Sequence, residues 1–218
     1  PRKADPTRRD FILGAVAGAV TVPLIKSPWR PRRVSKDLIR PPGALAEQEF
    51  LSRCVRCAAC MRACPTNVLQ PALTEAGLDG FWSPVMKFRF GYCQYGCTIC
   101  SQVCPTGAIQ QLPLEEKKKW RLGNAFFDKN RCLPYSLGRE CTVCEEHCPT
   151  APKAILTTMK KVECPDGSTG TVHMPQVVAE RCIGCGICEN VCPIVDEAGI
   201  RVTSAGESRS EENQFLAK

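Results

Sequence analysis

Apolar residues are distributed unevenly along this 218-residue chain. One long run, FILGAVAGAVTVPLI over residues 11–25, is apolar or small throughout and predicts an N-terminal helix. Beyond it the apolar stretches are short and recur in one setting: CPTNVL, CPTGAI, CPTAPKAI and CPIVDEAGI each return to small and aliphatic residues soon after a Cys-Pro pair. Proline stops the short helix before it, and the aliphatic residue begins a strand. Four such occurrences make the chain a four-fold internal repeat. Between repeats, VEC and TVHMPQVV flank the turn-rich PDGSTG and predict a hairpin over residues 161–178. The run EEKKK over residues 115–119 reads as a solvated helical face. Short elements joined by many turns give a fold class of α+β, small and loop-rich.

Cysteine changes this picture most. Of the 17 cysteines, sixteen fall into four groups: Cys54, Cys57, Cys60 and Cys64; Cys93, Cys97, Cys100 and Cys104; Cys132, Cys141, Cys144 and Cys148; Cys182, Cys185, Cys188 and Cys192. The first and fourth groups are spaced C-x2-C-x2-C-x3-C-P. The second opens with an x3 gap and the third with x8, and both keep C-x2-C-x3-C-P. In the bacterial ferredoxin run, three closely spaced thiolates hold one cubane and the fourth ligates the other cluster of a pair. Paired C-x2-C also holds zinc, but a zinc site has no use for two further cysteines at these offsets followed by proline. Four groups of four thiolates give four [4Fe-4S] clusters, with all sixteen cysteines as iron ligands. A longer first gap alters the loop around a cubane, not the ligand count. Spacers of 28, 27 and 33 residues leave room for turns and hairpins, not for another domain. Cys164 stands alone and reads as a plain thiol in or beside the hairpin.

Charge sharpens the organisation. Residues 1–40 hold ten Lys or Arg and three Asp or Glu, and so carry the whole formal charge of +7. The remaining 178 residues are formally neutral, which argues against a nucleic-acid surface on the folded part. Arg8 and Arg9 precede the apolar run in a twin-arginine export pattern. Export of a folded chain lets clusters be inserted before the thiols meet an oxidising compartment. The run is 15 residues long, short of the roughly 17–25 that span a bilayer, and no small-x-small cleavage site stands out between Ala19 and Ser27. It is therefore read as a retained, marginal membrane anchor.

Catalytic candidates are few. The C-x3-C-x2-C opening of the second group is the spacing of radical S-adenosylmethionine enzymes, but an open iron and a barrel-sized domain are both wanting, since Cys104 and Pro105 complete a ferredoxin group. A purely structural role for the clusters is the other alternative. Only His147 and His173 could serve acid-base chemistry, and the C-x-x-C-H signal of c-type haem is missing. His147, beside Cys148, reads as a solvated side chain. Phe81, Trp82, Phe88, Phe90 and Tyr92 read as packing over clusters rather than a quinone pocket.

The ordered set IRPPGALAEQEFLSRCVRCAACMRACP, VCPTGAI, LGNAFFDKNRCLP with CTVCEEHCP, and CIGCGICENVCP resembles the NapG/MauM-type ferredoxins over roughly residues 1–204. The second group departs from that family's commoner x2 and x4 gaps, which bears on the terminal partner and not on the cluster count. The resemblance implies an exported four-cluster protein passing electrons between a membrane quinol/quinone-linked subunit and a periplasmic or extracytoplasmic redox subunit, at that face of the cytoplasmic membrane. It extends to four-cluster subunits of molybdenum oxidoreductases, which implies nested pairing: Cys54, Cys57, Cys60 with Cys192; Cys182, Cys185, Cys188 with Cys64; Cys93, Cys97, Cys100 with Cys148; Cys132, Cys141, Cys144 with Cys104. Tandem pairing, first group with second and third with fourth, is the alternative.

The reading is thus a signal and anchor over 1–28, a basic Pro-rich linker over 29–49, a four-cluster domain of two ferredoxin-like di-cluster modules over 50–204, and a polar tail over 205–218. Its function is electron transfer within an oxidoreductase complex, without a catalytic site of its own.

Overall fold

The computed structural model describes residues 35–163 and 169–209 together with Ile12, Gly14 and Ala15, which are helical. Two compact units divide the chain, Pro1–Val34 and Ser35–Lys218. The twin-arginine pair, most of the apolar run, Cys164 and residues 210–218 lie outside the described residues. Among the described residues no helix is long and apolar enough to cross a membrane.

The second unit is assembled from pieces too short to stand alone. Its helices are α1 (Glu47–Arg53), α2 (Ala59–Ala63), α3 (Ile99–Gln102), α4 (Leu114–Lys119), α5 (Leu133–Leu137), α6 (Val143–Glu146) and α7 (Ile187–Asn190), none longer than seven residues. Isolated helices below about 12 residues are marginal in water, so tertiary contacts must hold these. The strands are β1 (Leu69–Pro71), β2 (Pro84–Met86), β3 (Asn124–Phe127), β4 (Ile155–Glu163), β5 (Thr169–Val177) and β6 (Ile200–Thr203).

They pair as three two-stranded antiparallel sheets, β1 with β2, β3 with β6 and β4 with β5. In the first, Leu69 faces Met86; in the second, Phe127 faces Ile200, joining the approach to the third cysteine group to the exit from the fourth. The third is the hairpin expected over 161–178, and it starts earlier, with Ile155 opposite Val177.

The aliphatic residue after each Cys-Pro does what its repetition suggests. Val68, Ile109, Ile155 and Ile200 are all buried, and a strand begins at or beside three of them. The second repeat differs: Ile109 makes only a single bridge to Ala44. That bridge shows what the RPPGA segment is for. From Ser35 the stretch expected as a linker belongs to the folded body, and Leu38, Ile39, Arg40 and Ala44 are buried in it. Residues 205–209 of the expected tail also join it, with Glu207 buried.

Arg40 ties these ends together. Its Nε and Nη2 donate to the two carboxylate oxygens of Glu47 at 3.1 and 2.6 Å. Its Nη1 donates to Ser83 Oγ at 2.8 Å and to the Pro84 carbonyl at 2.7 Å, and the guanidinium lies 4.7 Å from the Phe50 ring centroid. Arg209 reaches Glu47 at 2.7 Å and Glu207 at 2.6 Å. Burial pushes the Glu47 carboxyl up, but Arg40 and Arg209 together hold it below its ordinary value. Removing one member of a buried charge network costs about 3–5 kcal/mol because its partner is left uncompensated. Arg40→Ala should therefore destabilise the loaded protein by about 3 kcal/mol in denaturant titration; a loss under about 1 kcal/mol would show that the network is dispensable.

Candidate iron-sulfur sites

Four hollows in the folded body are each walled by four cysteine sulfurs. Cys54, Cys57 and Cys60 line the first together with Cys104. Cys93, Cys97 and Cys100 line the second with Cys64. Cys132, Cys141 and Cys144 share the third with Cys192, and Cys182, Cys185 and Cys188 share the fourth with Cys148. Every group thus lends its fourth cysteine to its tandem neighbour. This corrects the nested pairing: Cys64 and Cys93 wall the same hollow, and Cys192 stands with the third group, not the first. The second group has no open position either, because Cys64 completes it from outside the C-x3-C-x2-C stretch.

Local sequence explains how three cysteines of one group line one hollow. In the regular groups the residues on either side of the middle cysteine are left-handed: Arg56 and Ala58 about Cys57, and Gly184 and Gly186 about Cys185. Glycine takes this conformation freely, whereas Arg56 and Ala58 each carry a cost of about 1–2 kcal/mol. Gly186 has a second reason, since a Cβ there would lie 1.9 Å from the Phe88 ring. The longer first gaps of the second and third groups remove the need, and none of their residues between cysteines joins the left-handed non-glycine set.

The last cysteine of each group enters a different environment. Cys64, Cys104 and Cys148 contact the hydroxyls of Thr66, Thr106 and Thr150 at 3.5, 3.8 and 3.3 Å. Burial pushes these thiols up, yet the hydroxyls and nearby backbone N–H groups hold all three below the ordinary thiol value. The threonine of CPT therefore sits against the exchanged sulfur in all three repeats, with the Thr66 hydroxyl donating to the Tyr92 carbonyl. In the fourth repeat Ile194 replaces it, and the Gly199 N–H donates to Cys192 Sγ at 3.3 Å instead.

Several of the other cysteines sit where ionisation is opposed. Burial, reinforced by neighbouring thiolates, pushes Cys60, Cys100, Cys144 and Cys185 up to about 12. Holding four such sulfurs as thiolates requires positive charge inside the hollow. Among the described residues no three His, Cys, Asp or Glu side chains close on one point as ligands of a single ion would. The donor set fits a group larger than one ion, with four thiolates and N–H donors to sulfur, as iron-sulfur cubanes take.

The hollows also have an order. Cys100 of the second quartet feels Cys60 of the first; Cys185 of the fourth feels Cys93 of the second; Cys188 of the fourth feels Cys144 of the third. The central step is a direct contact, in which the Cys93 N–H donates to the Cys185 carbonyl at 2.8 Å. Phe88 and Asn190 brace it through a 2.9 Å bond from Asn190 Nδ2 to the Phe88 carbonyl. Arg89 adds bonds to the carbonyls of Glu189 and Ile194 at 3.1 and 3.0 Å.

Other candidates separate. Phe88 is buried, and Tyr92 lines the Cys64 hollow, but Phe81 and Trp82 stand half exposed and Phe90 is exposed, so these three do not cover clusters. His147 is exposed, with Nδ1 2.9 Å from the Val143 carbonyl, as a solvated side chain would be. His173 pairs with Glu140 at 2.7 Å. The EEKKK face is not uniformly solvated: Lys117 is buried, a feature its sequence pattern concealed.

Geometry and comparison agree on the class, an iron-sulfur ferredoxin-type protein. Residues 53–108 match a 4Fe-4S dicluster domain, which spans the first and second groups together, and residues 173–194 match a 4Fe-4S binding domain. The chain is 35% identical over 193 residues to the methylamine utilization ferredoxin-type protein MauM of Methylobacillus flagellatus, covering 88% of this chain and 76% of that one. It is 34% identical over 183 residues to the ferredoxin-type protein NapG of Escherichia coli, covering 82% and 76%. The MauM of Methylorubrum extorquens is 32% identical over 209 residues, covering 90% and 89%. No solved structure gives a significant match. The chain belongs to the NapG/MauM family of ferredoxin-type 4Fe-4S electron-transfer proteins.

Two outcomes check the sites. Cys104→Ser should alter the same EPR-visible centre as Cys57→Ser and spare the one altered by Cys97→Ser; shared effects between Cys104 and Cys97 would restore self-contained groups. Stripping iron with a chelator should unfold the body, seen as lost far-UV circular dichroism and rapid proteolysis, because cysteines make up much of its buried core.

Proposed function

We propose that the chain is a four-cluster relay in which Cys54, Cys57, Cys60 and Cys104 hold one outer [4Fe-4S] centre and Cys132, Cys141, Cys144 and Cys192 the other. Cys64, Cys93, Cys97 and Cys100 hold one inner centre, and Cys148, Cys182, Cys185 and Cys188 its neighbour. The observation that carries this reading is the Cys93–Cys185 backbone bond, which brings the two halves into contact at one ligand from each.

When bound, each cluster supplies a site that gains and loses single electrons. The chain's own residues supply order and insulation. Phe88 against Gly186 and the Arg89 bonds clamp the junction, and buried Val68, Ile109, Ile155 and Ile200 exclude water beside the sulfurs. Cys57 is exposed at one end, so the first quartet is the natural port for a redox partner.

The partners in this reading are a membrane quinol/quinone-linked subunit and a periplasmic or extracytoplasmic redox subunit, with the chain exported folded and held at that face of the membrane. Its support is the twin-arginine pattern and the kinship with NapG and MauM proteins. Graded reduction followed by low-temperature EPR should give magnetically interacting centres, and solubilised membranes should yield the chain with redox subunits attached. Centres that never change redox state would exclude the relay.

A further inference from the structure

We propose that Lys117 raises the reduction potential of the inner centre at Cys64, Cys93, Cys97 and Cys100. The proposal rests on the relay reading and adds a residue that no cysteine motif contains.

Lys117 is 3% exposed, and it is the one buried lysine among the described residues. Its ammonium donates to the carbonyls of Gln94 and Tyr95 at 2.6 and 2.9 Å, the two residues that follow Cys93. Burial pushes the Cys93 thiol up, and the Lys117 ammonium opposes that shift. Two of its three N–H donors thus meet carbonyls beside Cys93, and burial keeps the cation from bulk solvent. Among the described residues no carboxylate pairs with this cation, although Glu115 of the same helix pairs with Lys118 at 2.8 Å.

A buried ammonium without a carboxylate is costly unless another anion compensates it. Among the described residues the group it acts on is the Cys93 sulfur, which lines the Cys64 hollow. Reduction adds one electron there, and onward transfer to the neighbouring quartet at Cys185 removes it. One electron enters and one leaves, so the cycle balances without moving a proton. A fixed positive charge stabilises the electron-rich state more than the electron-poor one, and burial keeps salt from screening it. The chain places this charge on the Cys93 side, one ligand away from the junction between halves.

The experiment is an EPR-monitored redox titration of the loaded full chain, with the centre identified as the one altered by Cys97→Ser. Lys117→Met should make that centre at least tenfold harder to reduce in equilibrium terms, about 59 mV for one electron. The difference should persist at high salt, and Lys118→Met, which removes a neighbouring charge at the surface, should leave the centre where it was. A Lys117→Met centre that titrates with the wild type overturns the proposal. If that variant does not load iron, the wild-type chain carrying 15N at the lysine side-chain nitrogen decides. Pulsed EPR of the reduced centre should then show a 15N coupling, and absence of one overturns the assignment. A wild-type centre that never accepts an electron removes the relay reading and this inference together; one that titrates but ignores Lys117 removes only the inference.

Discussion

The folded body depends on holding cysteine sulfurs as anions in places where burial opposes charge, as at Cys60, Cys100, Cys144 and Cys185. A single thiol pushed up to about 12, as at Cys60 or Cys185, stays protonated and inert near neutrality. Such a sulfur becomes useful only when a multiply charged metal group sits in its hollow. The protein then has no need of a large apolar core. Helices of four to seven residues and three two-stranded sheets suffice, because each hollow cross-links segments that would not otherwise associate.

Exchange of the fourth cysteine makes this cross-linking cooperative. Cys64 leaves its own group to complete the next hollow, and Cys104 returns to complete the first. Neither group can be filled without the other being in place. The same exchange between Cys148 and Cys192 closes the second half, where β3 and β6 bring the two ends of that half together. The threonine of CPT lowers the cost of ionising three of the exchanged sulfurs, the ones that must reach across.

Positive charge is used sparingly inside. Arg40 is fully committed to Glu47, Ser83, Pro84 and Phe50, and it serves to fasten the entry and exit of the chain. Lys117 has no such carboxylate. Its position beside Cys93, at the contact between halves, is the point where a fixed charge acts most directly on an electron in transit.

Spacing alone determined the donor chemistry, the number of cysteine groups and the aliphatic residue behind each Cys-Pro, because these depend on a few neighbouring residues. The hairpin between the third and fourth groups was legible for the same reason. Three things were decided only in three dimensions. Tandem exchange over nesting follows from which loops meet, and identical C-x3-C-P endings in all four groups carry no trace of it. The absorption of residues 35–49 and 205–209 follows from the Arg40–Glu47–Arg209 network, whose members are up to 169 positions apart along a chain that reads locally as polar linker and tail. Burial of Lys117 within EEKKK follows from what α4 packs upon, since a run of like charges has no periodicity to mark its inward face.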